Sequence, residues 1–196
     1  MVEHVKRLKR ELVYKGAILD IYKDTMELPD GNEAEWDFVS HRMGAAAILP
    51  VMKDGRIVMV RQYRNALERE TLEIPAGCRD SKTEDTAYCA AREMEEETGY
   101  RSTNVKHLLS LRTTVAFCDE AVDIFVATDL EVGTRHLDEA ESIDVEIYTL
   151  EELCDMIYEG KIQDGKTIAA IMRQQKKAEW ENIWIYKNGI KKTDRA

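Results

Sequence analysis

The stretch Gly77–Tyr100, GCRDSKTEDTAYCAAREMEEETGY, decides how the rest of the chain is read. From Thr83 to Thr98 it is made of helix-forming residues, and Gly99 stands where a helix stops. Ser81 followed by Glu84 fits a capping box, so the spacing predicts a helix with both ends signalled. On that helix Glu93 and Glu97 are one turn apart and Glu96 follows Glu93 at i+3, which puts three carboxylates along one side. Acidic runs usually face water. Here three neighbours argue for more. Arg92 lies inside the cluster, where a guanidinium can fix a carboxylate through paired hydrogen bonds. Gly77, after Pro75-Ala76, leads into a loop whose exposed backbone carbonyl can supply a hard oxygen ligand. Gly99 ends the helix where the acidic patch ends. Crowded carboxylates repel one another by about a few tenths of a kcal/mol per pair, and a divalent cation relieves that.

With those residues in view, the stretch resembles the Nudix box, G-x5-E-x7-R-E-U-x-E-E-x-G-U, where U is apolar. From Glu84 onward the match is complete: seven residues separate Glu84 from Arg92, and Glu93, Met94, Glu96, Glu97, Gly99 and Tyr100 follow in register. The one departure is that six residues, not five, lie between Gly77 and Glu84. An extra residue inside the helix would turn the carboxylates by about 100°. This one falls before the helix, so the helical register is kept while the placement of the Ala76 carbonyl is left open. The resemblance implies that Glu93, Glu96 and Glu97, with the Ala76 carbonyl, bind Mg²⁺ or its substitute Mn²⁺. It implies that Arg92 orients the glutamates, and that Glu96 and Arg92 count among the catalytic residues. Hard oxygen donors suit Mg²⁺, which keeps several waters and binds through few carboxylates plus substrate phosphates. Glu84 reads equally as a first-turn acid or as a ligand.

Outward from the box, residues 1–42 read as a β-hairpin arm: Ala17 to Leu28 and Glu33 to Arg42, joined by the turn Pro29-Asp30-Gly31-Asn32. AAAILPVM and IVMVRQY read as core strands around a second hairpin turn, Lys53-Asp54-Gly55-Arg56. TLEIPAG is a further strand candidate. More strands are expected at Val105 to Arg112, Val122 to Thr128 and Asp144 to Tyr148. Helices are expected at Leu150 to Glu159, with Thr149 and Glu152 as a capping box and Gly160 as its stop, and at Lys166 to Lys177. The fold class expected is α/β of the α+β type, a mixed β-sheet sandwiched between helices with an N-terminal antiparallel hairpin arm. The domains are 1–42, the arm for dimerisation and base binding; 43–178, the hydrolase domain; and 179–196, a C-terminal extension. In that extension Trp180, Trp184 and a Lys187-Asn188-Gly189 turn suggest a short strand or a surface segment.

HRMGAAAILPVMKDGRIVMVRQYRNALERETLEIPAG and GKIQDGKTIAAIM are similar to the ADP-ribose pyrophosphatase branch of that family. The branch implies a homodimer whose N-terminal strands cross to the partner, with Trp36 either stacking on the adenine base or anchoring the interface. It implies Arg42 and Arg64 near the terminal ribose and phosphates, whereas Arg61 reads as a strand-surface charge and Glu73 as an aid to the metal site or an arginine's partner. Glu120, in TTVAFCDE, matches the branch's general base, with Asp119 as the fallback. Val115-Ala116 replaces the usual Pro-Gly pair of this loop, which leaves the sugar open. The expected reaction is hydrolysis of a nucleoside diphosphate sugar, ADP-ribose to AMP and ribose 5-phosphate. The alternatives are a GDP-sugar, a dinucleoside polyphosphate, a coenzyme A derivative, or a non-catalytic ADP-ribose sensor.

Composition narrows the partners. The 196 residues are 44% hydrophobic and 34% charged, enough apolar mass for a folded domain. A net charge of −10 argues against nucleic acid as a partner but not against small phosphates met through metal ions and a few arginines. No apolar run is long enough to span a membrane. Cys78, Cys89, Cys118 and Cys154 lack metal-ligand spacing and read as free thiols of a reducing cytoplasm.

Overall fold

The computed structural model describes residues 4–137 and 141–187, with side chains through residue 176. The strands are β1 (Lys6–Lys15), β2 (Leu19–Glu27), β3 (Glu33–His41), β4 (Ala45–Pro50), β5 (Ile57–Arg64), β6 (Arg69–Glu73), β7 (Ala76–Cys78), β8 (Tyr100–Arg101), β9 (Asn104–Arg112), β10 (Ala121–Thr128), β11 (Glu131–Val132) and β12 (Ile143–Tyr148). The helices are α1 (Thr86–Thr98), α2 (Leu150–Tyr158) and α3 (Gly165–Lys187). A mixed sheet runs in the order β7-β4-β10-β9, with β4 and β10 parallel and the other pairs antiparallel. A second, antiparallel sheet runs β12-β5-β6.

β4 is buried on both faces, as expected of a strand with a parallel neighbour and layers above and below. Ala46 and Ile48 meet Cys89, Ala90 and Met94 of α1, together with Phe125 and Ala127 of β10. Ala47 and Leu49 face the other way, into a core shared with Ile57, Met59, Leu72, Ile74, Leu153 and Ile171. α1 therefore covers one face of the mixed sheet while the second sheet, α2 and α3 cover the other. The mixed sheet between helices is found as expected, split into two sheets.

Several local expectations are corrected. β4 and β5 share the predicted turn, closed by Met52 N–H to Arg56 O at 2.8 Å with Gly55 at φ 87°, but they are no hairpin. They part after the single bridge Val51–Ile57, at Pro50, and enter different sheets. α1 is capped by Asp85, whose carboxylate accepts from the N–H groups of Ala87 and Tyr88, and not by a Ser81–Glu84 box. Asp85 wins because its side chain reaches two orphan N–H groups of the first turn, while Glu84 Oε2 is taken by the Asp80 N–H at 2.7 Å. Gly99 closes the helix at φ 74° as expected, and the Thr149–Glu152 box at α2 is present in both directions.

The arm has a third strand. β1 pairs antiparallel with β2, and its residues are largely exposed. What seats it is Arg10, which donates Nε to Asp24 Oδ1 at 2.6 Å and lies 3.7 Å over the Phe38 ring. At the other end, α3 runs on to Lys187 where a strand or surface segment was expected. No Gly or Pro interrupts 166–187, so nothing in the backbone stops the helix. The rest of the expected turn, Asn188-Gly189, lies outside the described residues.

Candidate active site

β7 and α1 build the site. The Ala76 N–H donates to Glu97 Oε2 at 3.2 Å, and Glu97 is 2% exposed. Next to it Gly77 packs so closely under Glu93 that a Cβ there would fall 2.1 Å from the carboxylate carbon. The glycine is needed for space. The extra residue in the box is absorbed by the loop between Gly77 and Asp85, so Gly77 stays in register with Glu93. Arg92 gathers the loop and the helix: Nη1 donates to Glu96 Oε2 at 2.7 Å and lies 2.9 Å from Glu93 Oε1. Its Nη2 donates to the Cys78 carbonyl at 3.1 Å and its Nε to Glu84 Oε1 at 3.3 Å. Glu84, lying before the helix, serves as an anchor for Arg92 and for the loop.

These carboxylates are short of positive charge. Burial, opposed by Arg92 and aided by Glu96, pushes Glu93 up to about 7. Burial and the neighbouring Glu93 push Glu97 up to about 8, with the Ala76 N–H resisting and Glu141 adding to the rise. Among the described residues no three His, Cys, Asp or Glu side chains converge on one point. Mg²⁺ does not require that, since it binds through one or two carboxylates and keeps its waters. A glycine-made cradle, a backbone segment held on Glu97 and under-neutralised hard oxygens fit a divalent cation, with Glu93, Glu97, the more exposed Glu96 and the Ala76 carbonyl as donors.

A cleft of about 610 Å³ opens beside this corner, walled by Ala76, Gly77, Arg64, Glu73, Glu120 and Lys166 among others. Arg64 donates Nε and Nη2 to Glu73 at 2.7 and 2.6 Å. Glu73 also accepts from Thr71 Oγ1 at 2.6 Å and from Lys166 Nζ, which also lies 3.0 Å from Asp164. Burial works against the charge on Glu73, yet Arg64 and Lys166 hold its carboxyl down to about 2. Of the two readings of Glu73, the arginine's partner is the one the geometry displays.

The other candidates fall in different places. Glu120 lines the cleft, with Oε1 3.8 Å from His41 Nε2. Asp119 has its carboxylate engaged by Ser40 Oγ and the His41 N–H, both at 2.9 Å, and acts as a clamp between its loop and β3. Arg42 is turned back into the arm, bound to both oxygens of Asp20 and to the carbonyls of Ala17 and Gly16, and is not among the groups lining the cleft. Trp36 sits on β3 at 47% exposure, also outside the cleft of its own chain. Arg61 pairs with Glu146 across β5 and β12, in keeping with a strand-surface charge. Sequence reasoning passed over Lys166, His41 and Glu141. Lys166 lay in the quoted GKIQDGKTIAAIM stretch, and Glu141 in the acidic run from Asp138.

Comparison with known proteins agrees with this geometry. The NUDIX domain model matches residues 41–171. An ADP-ribose pyrophosphatase of Bacillus subtilis is 38% identical over 174 residues, covering 88% of this chain and 93% of its own. A methanol dehydrogenase activator of Bacillus methanolicus is 38% identical over 172 residues, covering 87% and 92%. A crystal structure of an ADP compounds hydrolase superposes with a TM-score of 0.78 at 19% identity, over 96% of this chain and 98% of that one, which speaks for the fold. The domain match spans the whole stretch from Glu84 to Tyr100, and the chain belongs to the Nudix family of pyrophosphohydrolases.

Proposed function

We propose that the chain hydrolyses the diphosphate of a nucleoside diphosphate sugar, with ADP-ribose as its first substrate, giving AMP and ribose 5-phosphate. Water adds across one P–O–P link: its oxygen bonds to phosphorus, the bridging oxygen leaves with the other half, and the protons are shed to the site and to solvent. The observation that carries this reading is the β7–α1 corner, where Glu93 and Glu97 are held against Gly77 and Ala76, two residues that line the cleft. Relatives named for ADP-ribose, such as the Bacillus subtilis enzyme, support the substrate. Mg²⁺, with Mn²⁺ as its substitute, supplies charge neutralisation and an acidified water when bound. Arg92 fixes the glutamates, Arg64 faces the sugar-phosphate end, and Glu120 accepts a proton from the water or holds it.

The arm, residues 1–42, makes the working unit a homodimer and brings Trp36 and Arg42 toward the partner's nucleotide pocket. Its exposed apolar residues, among them Leu12, Tyr14 and Ile21, support that role. The hydrolase domain occupies 43–178 with 179–196 as an extension, although α3 crosses that boundary. Four free cysteines fit a reducing cytoplasm. Hydrolysis of ADP-ribose measured beside GDP-sugars, dinucleoside polyphosphates and coenzyme A derivatives, with Mg²⁺, Mn²⁺ or chelator, tests the reading. The expected result is a preference for ADP-ribose that chelator abolishes. Binding of ADP-ribose without turnover in Mg²⁺ would identify a sensor instead.

A second base is supported by one observation. The charge of Glu141 contributes to the rise of both Glu93 and Glu97. Comparing Glu120→Gln with Glu141→Gln decides which carboxylate serves the water.

A further inference from the structure

The turn between the arm and the mixed sheet holds a histidine for which the hydrolytic reading has no use. His41 ends β3, its side chain is 6% exposed, and it lines the cleft wall beside Cys78 and Glu120. Its two ring nitrogens have different jobs. The Gly44 N–H donates to Nδ1 at 3.0 Å, made possible by the left-handed backbone of Gly44 at φ 72°. A nitrogen that accepts a hydrogen bond cannot carry a proton, so the neutral ring has its proton on Nε2. That N–H meets the Cys78 sulfur at 3.7 Å, and Glu120 Oε1 stands 3.8 Å from the same nitrogen. A thiol is a weak acceptor and a carboxylate a strong one, so the N–H is better satisfied by Glu120 once that side chain closes by less than about 1 Å. Catalytic hydrogen bonds are often long before substrate binds and tighten afterwards.

The backbone around Glu120 is also tied to this turn. Val39 N–H donates to the Phe117 carbonyl at 2.7 Å, and Asp119 N–H donates to the Val39 carbonyl at 3.2 Å. The Asp119 carboxylate takes Ser40 and the His41 N–H, and the Glu120 N–H rests on the Cys118 sulfur at 3.4 Å. The end of β3 therefore fixes the main chain on both sides of Cys118. The remaining freedom of Glu120 is in its side-chain rotamer, and His41 Nε2 lies 3.8 Å from its carboxylate.

We propose that His41 is a positioning residue, which as the Nε2–H tautomer set by Gly44 holds the Glu120 carboxylate in the orientation in which it serves the attacking water. The idea rests on the reading that Glu120 acts on that water. Its consequence is that the connection between arm and sheet takes part in aligning the base, and that His41 acts through Glu120 and not on the substrate.

Two substitutions separate this role from simple turn building. In His41→Asn the amide oxygen takes the place of Nδ1 and keeps an acceptor for Gly44, but nothing reaches Glu120. In His41→Gln the amide nitrogen takes the place of Nε2 and restores the distal donor. With Mg²⁺ and ADP-ribose, His41→Asn is expected to lower kcat about ten- to a hundredfold with KM within about twofold, the penalty of a misaligned group. His41→Gln recovers much of that loss, and His41→Asn combined with Glu120→Gln is no slower than Glu120→Gln alone. The ¹⁵N spectrum of the imidazole is expected to show Nε2 protonated and Nδ1 bare. A normal kcat in His41→Asn beside a slow His41→Gln would make the ring a turn element and overturn the proposal, as would the opposite tautomer. If Glu120→Gln itself keeps the wild-type kcat, it is the assignment of Glu120 that falls, which no result with His41→Asn alone can imitate.

Discussion

At Gly77 a single hydrogen atom decides whether the site forms. A methyl group there would overlap the Glu93 carboxylate, and since Gly77 lies in a β7 strand paired with Ala46, the backbone cannot retreat. Gly77→Ala is therefore expected to cost at least about a hundredfold in kcat/KM, or about 3 kcal/mol of transition-state stabilisation, while the melting temperature moves little. Steady-state kinetics and calorimetry on the same preparation check it, and a variant with native activity would mean Glu93 has no fixed seat. Glu73 makes the opposite case, a buried carboxylate with too many cations to lose. Its carboxyl lies at about 2 in the folded chain against an ordinary 4.5, so its contribution to stability is complete above about 4.5 and fades as pH falls toward 2. Glu73→Gln should cost about 2–4 kcal/mol near neutral pH, the partial exposure of Arg64 trimming the figure for a fully buried pair. The variant's stability should also fall less steeply than the parent's between pH 4.5 and 2, as urea titrations at several pH values would show. Lys166 was not legible as part of this network, because it lies 93 positions from Glu73 with no periodic pattern linking them, whereas Thr71, two residues before Glu73 on β6, shares its face of the strand. The carboxylates of α1 were legible because one helical turn places them together.

That contrast extends to the elements. α1 and α2 were readable because their end signals are local: Gly99 in one, and Thr149, Glu152 and Gly160 in the other. Even here the box misled at Ser81, since several acceptors lay within four residues and only coordinates show which N–H groups each can reach. β1 was missed because a strand is recognised by an apolar face, and KRLKRELVYK keeps nearly all its side chains outside. Its seat is the ion pair to Asp24 and the Phe38 ring, both distant in sequence. The β4–β5 hairpin failed for a related reason: a turn fixes the local reversal of the chain but not which sheet each strand joins. The box itself offers an element-scale test. One alanine inserted between Glu93 and Met94 turns Glu96 and Glu97 by about 100° relative to Glu93. It also breaks the packing of Met94 on β4, so both activity and several degrees of melting temperature should be lost. Deleting Ser81, whose hydroxyl meets that of Thr83 at 3.2 Å, restores the five-residue spacing and should leave kcat/KM within about tenfold, the loop being outside the register. Equal damage from the two changes would show that the loop, and not the helix, sets the metal corner.

At the scale of the whole molecule, the arm reaches the cleft of its own chain through Ile18 and His41, while most of its apolar surface faces outward. Leu8, Leu12, Val13, Tyr14, Ile18, Leu19, Ile21 and Trp36 are all exposed on or beside the first three strands, an unusual density of apolar surface for a monomer. Arg42 and Trp36, two of the three residues expected at the nucleotide, are carried by that same arm and lie off the cleft, which the third, Arg64, lines. A two-fold pairing of arms would bury the apolar residues and carry both side chains to the partner. Sedimentation equilibrium should therefore find a dimer at micromolar concentration, and the pair Leu12→Glu and Tyr14→Glu should yield monomers. Because the β7–α1 corner proposed to hold the metal is built within a single chain, those monomers should keep metal binding, measured by calorimetry with Mn²⁺, but show KM for ADP-ribose raised about tenfold or more, the loss of a stacking and hydrogen-bonding surface. Trp36→Ala distinguishes stacking from anchoring: a raised KM in a chain that still sediments as a dimer assigns the indole to the base, and dissociation assigns it to the interface. Monomers with unchanged kcat and KM would confine the site to one chain and leave the arm a structural attachment.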